Sequence, residues 1–204
     1  MLEHVPRWLG AALKGVRAGA DKLAIVQPGL GSFAALDLRS PAFANGARLP
    51  VRFTADGAGV SPPLFWTGVP DGTDSLVLLV EDPDAPTPSP LVHAIMWGLP
   101  GADGQLAEGA IVADGAGGEA GDVGRNSFRR EGWLPPDPPT GHGEHRYAFQ
   151  LFALAPGGDP GETPNRSNAV AVMRGRVLAA GLLTGTYSRG EAAGIGPIGA
   201  TAPA

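Results

Sequence analysis

The chain has no cysteine among its 204 residues, which excludes disulfides and thiolate metal sites. No run approaches the ~18 consecutive apolar residues of a membrane-spanning helix. The first residues also lack the compact apolar stretch of a secretory signal. Both absences lead to the expectation of a cytoplasmic protein with no transmembrane segment. No block of basic residues stands out and the net charge is −5, so nucleic acid is not expected as a partner. A P-loop, a dinucleotide-binding glycine fingerprint, a G-x-S-x-G elbow and an H-E-x-x-H pair are all missing. No internal repeat is visible.

Glycine and proline are abundant, at 32 and 21 residues, about a quarter of the chain. That share borders on a disordered composition. However, the apolar runs are long, separate and strand-like, and hydrophobic residues make up 43% of the chain. The length suits one domain with a sizeable core. The expected fold is mainly β, with many turns and long proline-rich loops.

Strands are expected at Phe33–Leu38, Val51–Thr54, Leu64–Trp66, Leu76–Val80, Val92–Trp97 and Tyr147–Leu154. Leu76–Val80 is uninterrupted, as in a strand buried on both faces. Residues 1–22 read as an amphipathic helix, with Leu2, Val5, Leu9, Leu13 and Val16 on one stripe, weakened by Gly10, Gly15 and Gly19. Such a helix packs on its own domain, contacts a second copy or lies on a membrane surface. A second helix is expected from a cap at Ser167 or Asn168 to about Gly181, followed by a last strand at Leu182–Tyr187. The domain boundaries are therefore 1–22, 23–190 and a flexible tail at 191–204. Residues 113–142 form a long loop of the kind that is often functional.

Two segments carry the chemistry, Glu81-Asp82-Pro83-Asp84-Ala85-Pro86 and Gly141-His142-Gly143-Glu144-His145-Arg146-Tyr147. Pro83 forces an extended backbone at Asp82, at the end of a buried strand. A carboxylate there needs a partner, and a histidine N–H suits it. The plainer reading is a turn in which Asp84 bonds its own backbone. His93 lies inside an apolar strand, where a histidine is more often a satisfied core residue than a ligand. His145 and Tyr147 are two apart and share a strand face, while Arg146 points away as an ion-pair partner. His142 lies in a glycine-rich loop and is as easily read as exposed. Three histidines and two aspartates suffice in kind for a metal, but no short metal-binding spacing is present. Asp82 and Asp84 sit beside prolines at alternating positions, a poor arrangement for flanking a scissile bond.

Asp-Pro-Asp-x-Pro, then a strand histidine, then Gly-x-His-Arg-Tyr resembles the pattern of the phosphatidylethanolamine-binding protein family, which includes the Raf kinase inhibitor proteins. Arg125-Asn126-Ser127-Phe128 and Leu183-Thr184-Gly185-Thr186-Tyr187 resemble its bacterial branch. The resemblance spans roughly residues 33–188. It implies an antiparallel β-sandwich with a few peripheral helices and a pocket for phosphate, phosphorylethanolamine or similar anions. It implies that Asp82 and His93 are the pocket carboxylate and first histidine, that His145 and Tyr147 complete the pocket, and that Asp84 belongs to the same signature. Two departures stand out. Ala94 replaces a common tryptophan, which reshapes one wall. Asp137, in Trp133-Leu134-Pro135-Pro136-Asp137-Pro138-Pro139, places a negative charge at the rim, worth about 1 kcal/mol against an anion.

The functional expectation is a small-anion-binding protein with a regulatory or inhibitory role toward a kinase or protease target. It is not expected to be an enzyme, uses no cofactor, and forms a homodimer if the N-terminal helix pairs. The alternative is a hydrolase or metal-dependent enzyme using the same Asp/His/Tyr cluster. In the anion reading, His93 and His145 donate N–H bonds and Tyr147 an O–H to the ligand, and Asp82 holds a histidine as a donor.

Overall fold

The apolar run at Leu76–Val80 becomes the middle of strand β4 (Ser75–Asp82), whose neighbours on either side are β5 (Leu91–Pro100) and β8 (His145–Leu154). A computed structural model describes residues 7–114 and 121–189. In it, β1 (Ala34–Ala35), β9 (Val177–Tyr187), β8, β4, β5 and β7 (Asp122–Val123) form a six-stranded sheet in that order. A three-stranded sheet contains β2 (Asp37–Arg39), β3 (Leu64–Thr67) and β6 (Gly104–Leu106). All pairings are antiparallel except β1 with β9.

The fold is mainly β. The core lies between the sheets: Leu38, Trp66 and Leu106 of the small sheet pack with Leu78, Val80, Met96, Phe149 and Leu151 of the large one. The opposite face of the large sheet is also buried. Val77, Leu79, Ile95 and Phe152 lie there against Ala24, Leu30 and helix α2 (Arg166–Met173). Double-sided burial explains why β4 reads as an unbroken apolar run, since both side-chain sets leave water.

Several elements differ from expectation, for local reasons. Helix α1 spans Arg7–Ala12 and is followed by a turn, an extended stretch and a 3-10 turn at Ala20–Lys22. Gly15 lies in the turn, and Gly19, with φ of 106°, is in a conformation closed to a continuing helix. The first part of the expected helix, residues 1–6, and the expected tail, 191–204, lie outside the described residues. Val51–Phe53 is a 3-10 turn after Pro50 rather than a strand. The run at 33–38 is split at Leu36, whose N–H bonds Ala180 as the chain changes sheets.

Helix α2 starts earlier than expected because Asn165 is the cap. Its side chain accepts from Asn168 N–H at 3.1 Å, and Asn168 accepts from Asn165 N–H in return. The helix stops at Met173. Val177 and Leu178, inside the expected helix, instead open β9 after the left-handed Gly175. β6 and β7 are too short to show alternation in the sequence. No helix among the described residues is long and apolar enough to cross a membrane.

Candidate functional site

Asp82 ends β4, His93 lies near the start of β5, and His145 and Tyr147 open β8. The three strands are adjacent, so these side chains meet at one end of the sheet. His93 reaches that group through a bulge. Val80 pairs with Ala94 and Glu81 with Val92, which leaves His93 as the extra residue. Alternation would otherwise send His93 toward α2; the bulge re-aims it. Ser127 secures the spot, its N–H bonding the Val92 carbonyl and its Oγ accepting from Val92 N–H.

These residues floor a cavity of about 570 Å³. Its walls are mostly apolar and come from the N-terminal segment, Leu9 of α1 and Leu13 after it, and from the 125–139 loop, Phe128, Trp133 and Pro138. The Trp133 ring stacks on Phe149 and lies 6.0 Å from His93. Asn126 shapes that loop by accepting from the N–H groups of Phe128 and Arg130.

On the floor, Asp82 Oδ2 accepts from His145 Nδ1 at 2.7 Å, and its Oδ1 accepts from Asp84 N–H at 2.7 Å. The turn is therefore made by the Asp82 side chain, not by Asp84. Asp84 is buried but does not line the cavity. It takes a bidentate pair from Arg146 and a 2.8 Å contact from Arg17. Burial pushes its pKa up, but the Arg146 and Arg17 hydrogen bonds outweigh it and hold Asp84 at about 2. Arg146 is thus the ion-pair partner expected of it.

His93 donates from Nδ1 to the Leu134 carbonyl at 2.6 Å, because a carbonyl can only accept. Nε2 of His93 and the Tyr147 hydroxyl are both buried with no hydrogen-bond partner among the described residues, and the two rings meet edge-on at 5.1 Å. Burial lowers the His93 pKa against the pull of the Asp82 charge, and burial raises that of Tyr147 well above its ordinary value. In this structure both rings are therefore neutral at pH 7. One offers an acceptor and the other a donor.

His145 is not available as expected. Its Nε2 lies 2.7 Å from Nδ1 of His142, which is completely buried rather than exposed. Gly141 and Gly143, with φ of 84° and 105°, curl the loop so that the His142 ring turns back on His145. The glycines on either side of His142 are the sequence signal for the curl, though not for what the ring meets. Asp137 is also not a bare rim charge: it pairs with Arg189, which also holds Asp56. Ala94 does not line the cavity and is packed in the core between the sheets. Among the described residues no group of three or more His, Asp or Glu is disposed to hold a metal ion.

Residues 39–188 match the family model described as phosphatidylethanolamine-binding protein. The chain is 36% identical over 159 residues to the UPF0098 protein of Aquifex aeolicus, covering 76% of this chain and 90% of that one. Among solved structures, a phosphatidylethanolamine-binding protein homologue of Chlamydia trachomatis superposes with a TM-score of 0.68 at 34% identity, covering 76% of this chain and 98% of that one. YbcL of E. coli, a member of the mammalian family, gives 0.70 at 28% identity, covering 76% and 99%.

Proposed function

The chain belongs to the phosphatidylethanolamine-binding protein family, and from that premise we propose that its cleft binds a small ligand with a phosphate-type head. The observation that carries this reading is the pair of buried, unpartnered polar atoms on the cavity floor, His93 Nε2 and Tyr147 Oη. A buried polar atom left without a partner costs about 1–3 kcal/mol. Two of them, on rings that meet edge-on at the floor of one cavity, are best explained by a ligand that satisfies both. A phosphate monoester that keeps one proton fits them. Its P–O–H donates to His93 Nε2 and another of its oxygens accepts from Tyr147. The equivalent description is a dianion on a protonated His93.

The apolar walls from Leu9, Leu13, Phe128 and Trp133 suit a carbon body attached to that head. Phosphorylethanolamine is the first probe. Saturable binding to the wild type by calorimetry, weakened about tenfold or more in Tyr147→Phe, is the expected result. No binding at millimolar probe, to a folded wild type, would overturn the reading.

A further inference from the structure

The contacts of residues 9–19 converge on the two loops that carry the site. Ala18 and Gly19 donate N–H bonds to the carbonyls of Ala85 and Pro83 at 3.0 and 2.8 Å. Arg17 donates to the Glu144 carbonyl at 3.0 Å and pairs with Asp84. Gly10 is packed so closely on the Thr140 carbonyl oxygen that a Cβ there would run into it. The Val16 carbonyl lies 3.2 Å from His142 Nε2. Leu9 and Leu13 meanwhile form part of the cavity wall.

Counting hydrogens along this chain gives a definite charge. Val16 O requires a hydrogen on His142 Nε2, since a carbonyl does not donate. Asp82 takes one from His145 Nδ1. The 2.7 Å contact between His142 Nδ1 and His145 Nε2 requires a third. Two neutral imidazoles carry only two such hydrogens. With Asp82 ionised, the complete chain therefore exists only when the histidine pair holds one extra proton, whose positive charge lies one ring from the Asp82 carboxylate.

We propose that His142 is a positioning residue that couples a proton shared with His145 to closure of the 7–19 segment over the cleft. Losing the proton leaves two lone pairs facing each other at the ring–ring contact or at Val16, and the segment loses its hold. A second proton places two N–H groups head to head, with the same result. Closure therefore occupies a pH window. The groups facing His142 set its edges. His145, with Asp82 behind it, shares the proton from β8 and β4, and Arg17 adds positive charge from the segment itself. Asp84 and Arg146 are tied to each other, and Glu144 presents its carbonyl to Arg17. Burial, then repulsion from His145, lowers the His142 pKa, so a second proton enters below the ordinary histidine range. An oxyanion that takes the His145 Nε2 position must displace His142 and loosen the segment.

The test needs no ligand, so its outcome is independent of whether the cleft binds a phosphate ester. Imidazole nitrogen NMR of the full chain from pH 5 to 9 counts the ring hydrogens, and amide exchange reports Ala18 and Gly19. The expected result is three ring hydrogens on the pair near neutrality, with Ala18 and Gly19 losing at least tenfold protection, corrected for intrinsic rate, at the pH where the third departs. In Gly10→Ala, which lifts the segment off Thr140 without touching a cavity residue, that protection is low throughout and the shared proton is lost nearer neutrality. Two hydrogens on the pair from pH 6 to 8, or protection at Ala18 and Gly19 that ignores the titration, would overturn the proposal. The wild-type titration decides even if Gly10→Ala does not fold.

Discussion

The Leu134 carbonyl accepts a 2.6 Å hydrogen bond from His93 Nδ1, and that contact determines what His93 presents to the cavity. With Nδ1 committed as a donor, Nε2 accepts when the ring is neutral and donates only when it is charged. Burial holds the free ring neutral at pH 7. Phosphate-type ligands must then bring a proton or take one up. Affinity for phosphorylethanolamine is expected to fall as pH rises from 6 to 8, by up to about tenfold per unit where one proton is linked. Calorimetry in two buffers of different ionisation enthalpy measures that uptake directly; none at pH 8 would remove His93 from the binding step.

The same lowered pKa has a consequence for stability. The unfolded ring, at about 6.5, binds a proton more readily than the buried one. The unfolded state thus holds more protons below that value, and stability falls as pH drops through it. His93→Phe should flatten the slope of unfolding free energy between about pH 7 and 5, measured by denaturant titration.

Tyr147→Phe separates binding from folding. The hydroxyl has no partner, so its removal leaves no new unsatisfied group and relieves one. The melting temperature should stay level or rise by a few degrees. Phosphorylethanolamine affinity should fall about tenfold or more, the equivalent of ~1.4 kcal/mol. A large loss of stability would instead assign the hydroxyl a structural partner.

Asp84→Asn should destabilise the folded chain by about 2 kcal/mol, because Arg146 and Arg17 lose a charged acceptor and both keep some solvent. The sign with pH follows from a folded pKa of about 2, lower than the ordinary carboxylate value. The stabilisation is present above about pH 4 and is lost as the pH falls through the folded value. Acid unfolding of the variant should lack that contribution.

Ala94→Trp tests where Ala94 points. As a cavity wall it would accept the larger ring. Its side chain is fully buried between the sheets, so the ring overpacks the core at a cost of about 3 kcal/mol or more. A fall in the unfolding midpoint without any change in the cleft is the expected outcome.

The sequence was most legible where one physical constraint acted alone. Period-two spacing put His145 and Tyr147 on one face, and the proline after Asp82 put it at a strand end. Both hold in the structure. It was least legible where distant segments meet. The glycines of Gly141-His142-Gly143 point to a curled loop, but nothing local shows that the ring meets Val16, 126 residues away. His93 owes its direction to a bulge, which depends on how β4 and β5 pair rather than on either alone. Asp137 read as a bare charge because Arg189, its partner, lies 52 positions on. Asn165 does not stand out as the cap in the sequence because Ser167 and Asn168, close behind it, suit the same role.

Glu81 and Asp82 are consecutive, so the pleat sends them to opposite sides of the sheet. Glu81 receives the Ala24 N–H, the Gln150 amide and Arg166 on the rear side, while Asp82 holds His145 on the front. The strand end between them is clamped like a workpiece in a vice. The floor of the cleft is therefore held from both sides, while most of its walls are loop. If the cleft binds as proposed, head chemistry and body size are separable properties. Exchanging Phe128 or Leu13 should change which carbon chains fit while leaving the hydrogen-bond pattern on the floor as it is.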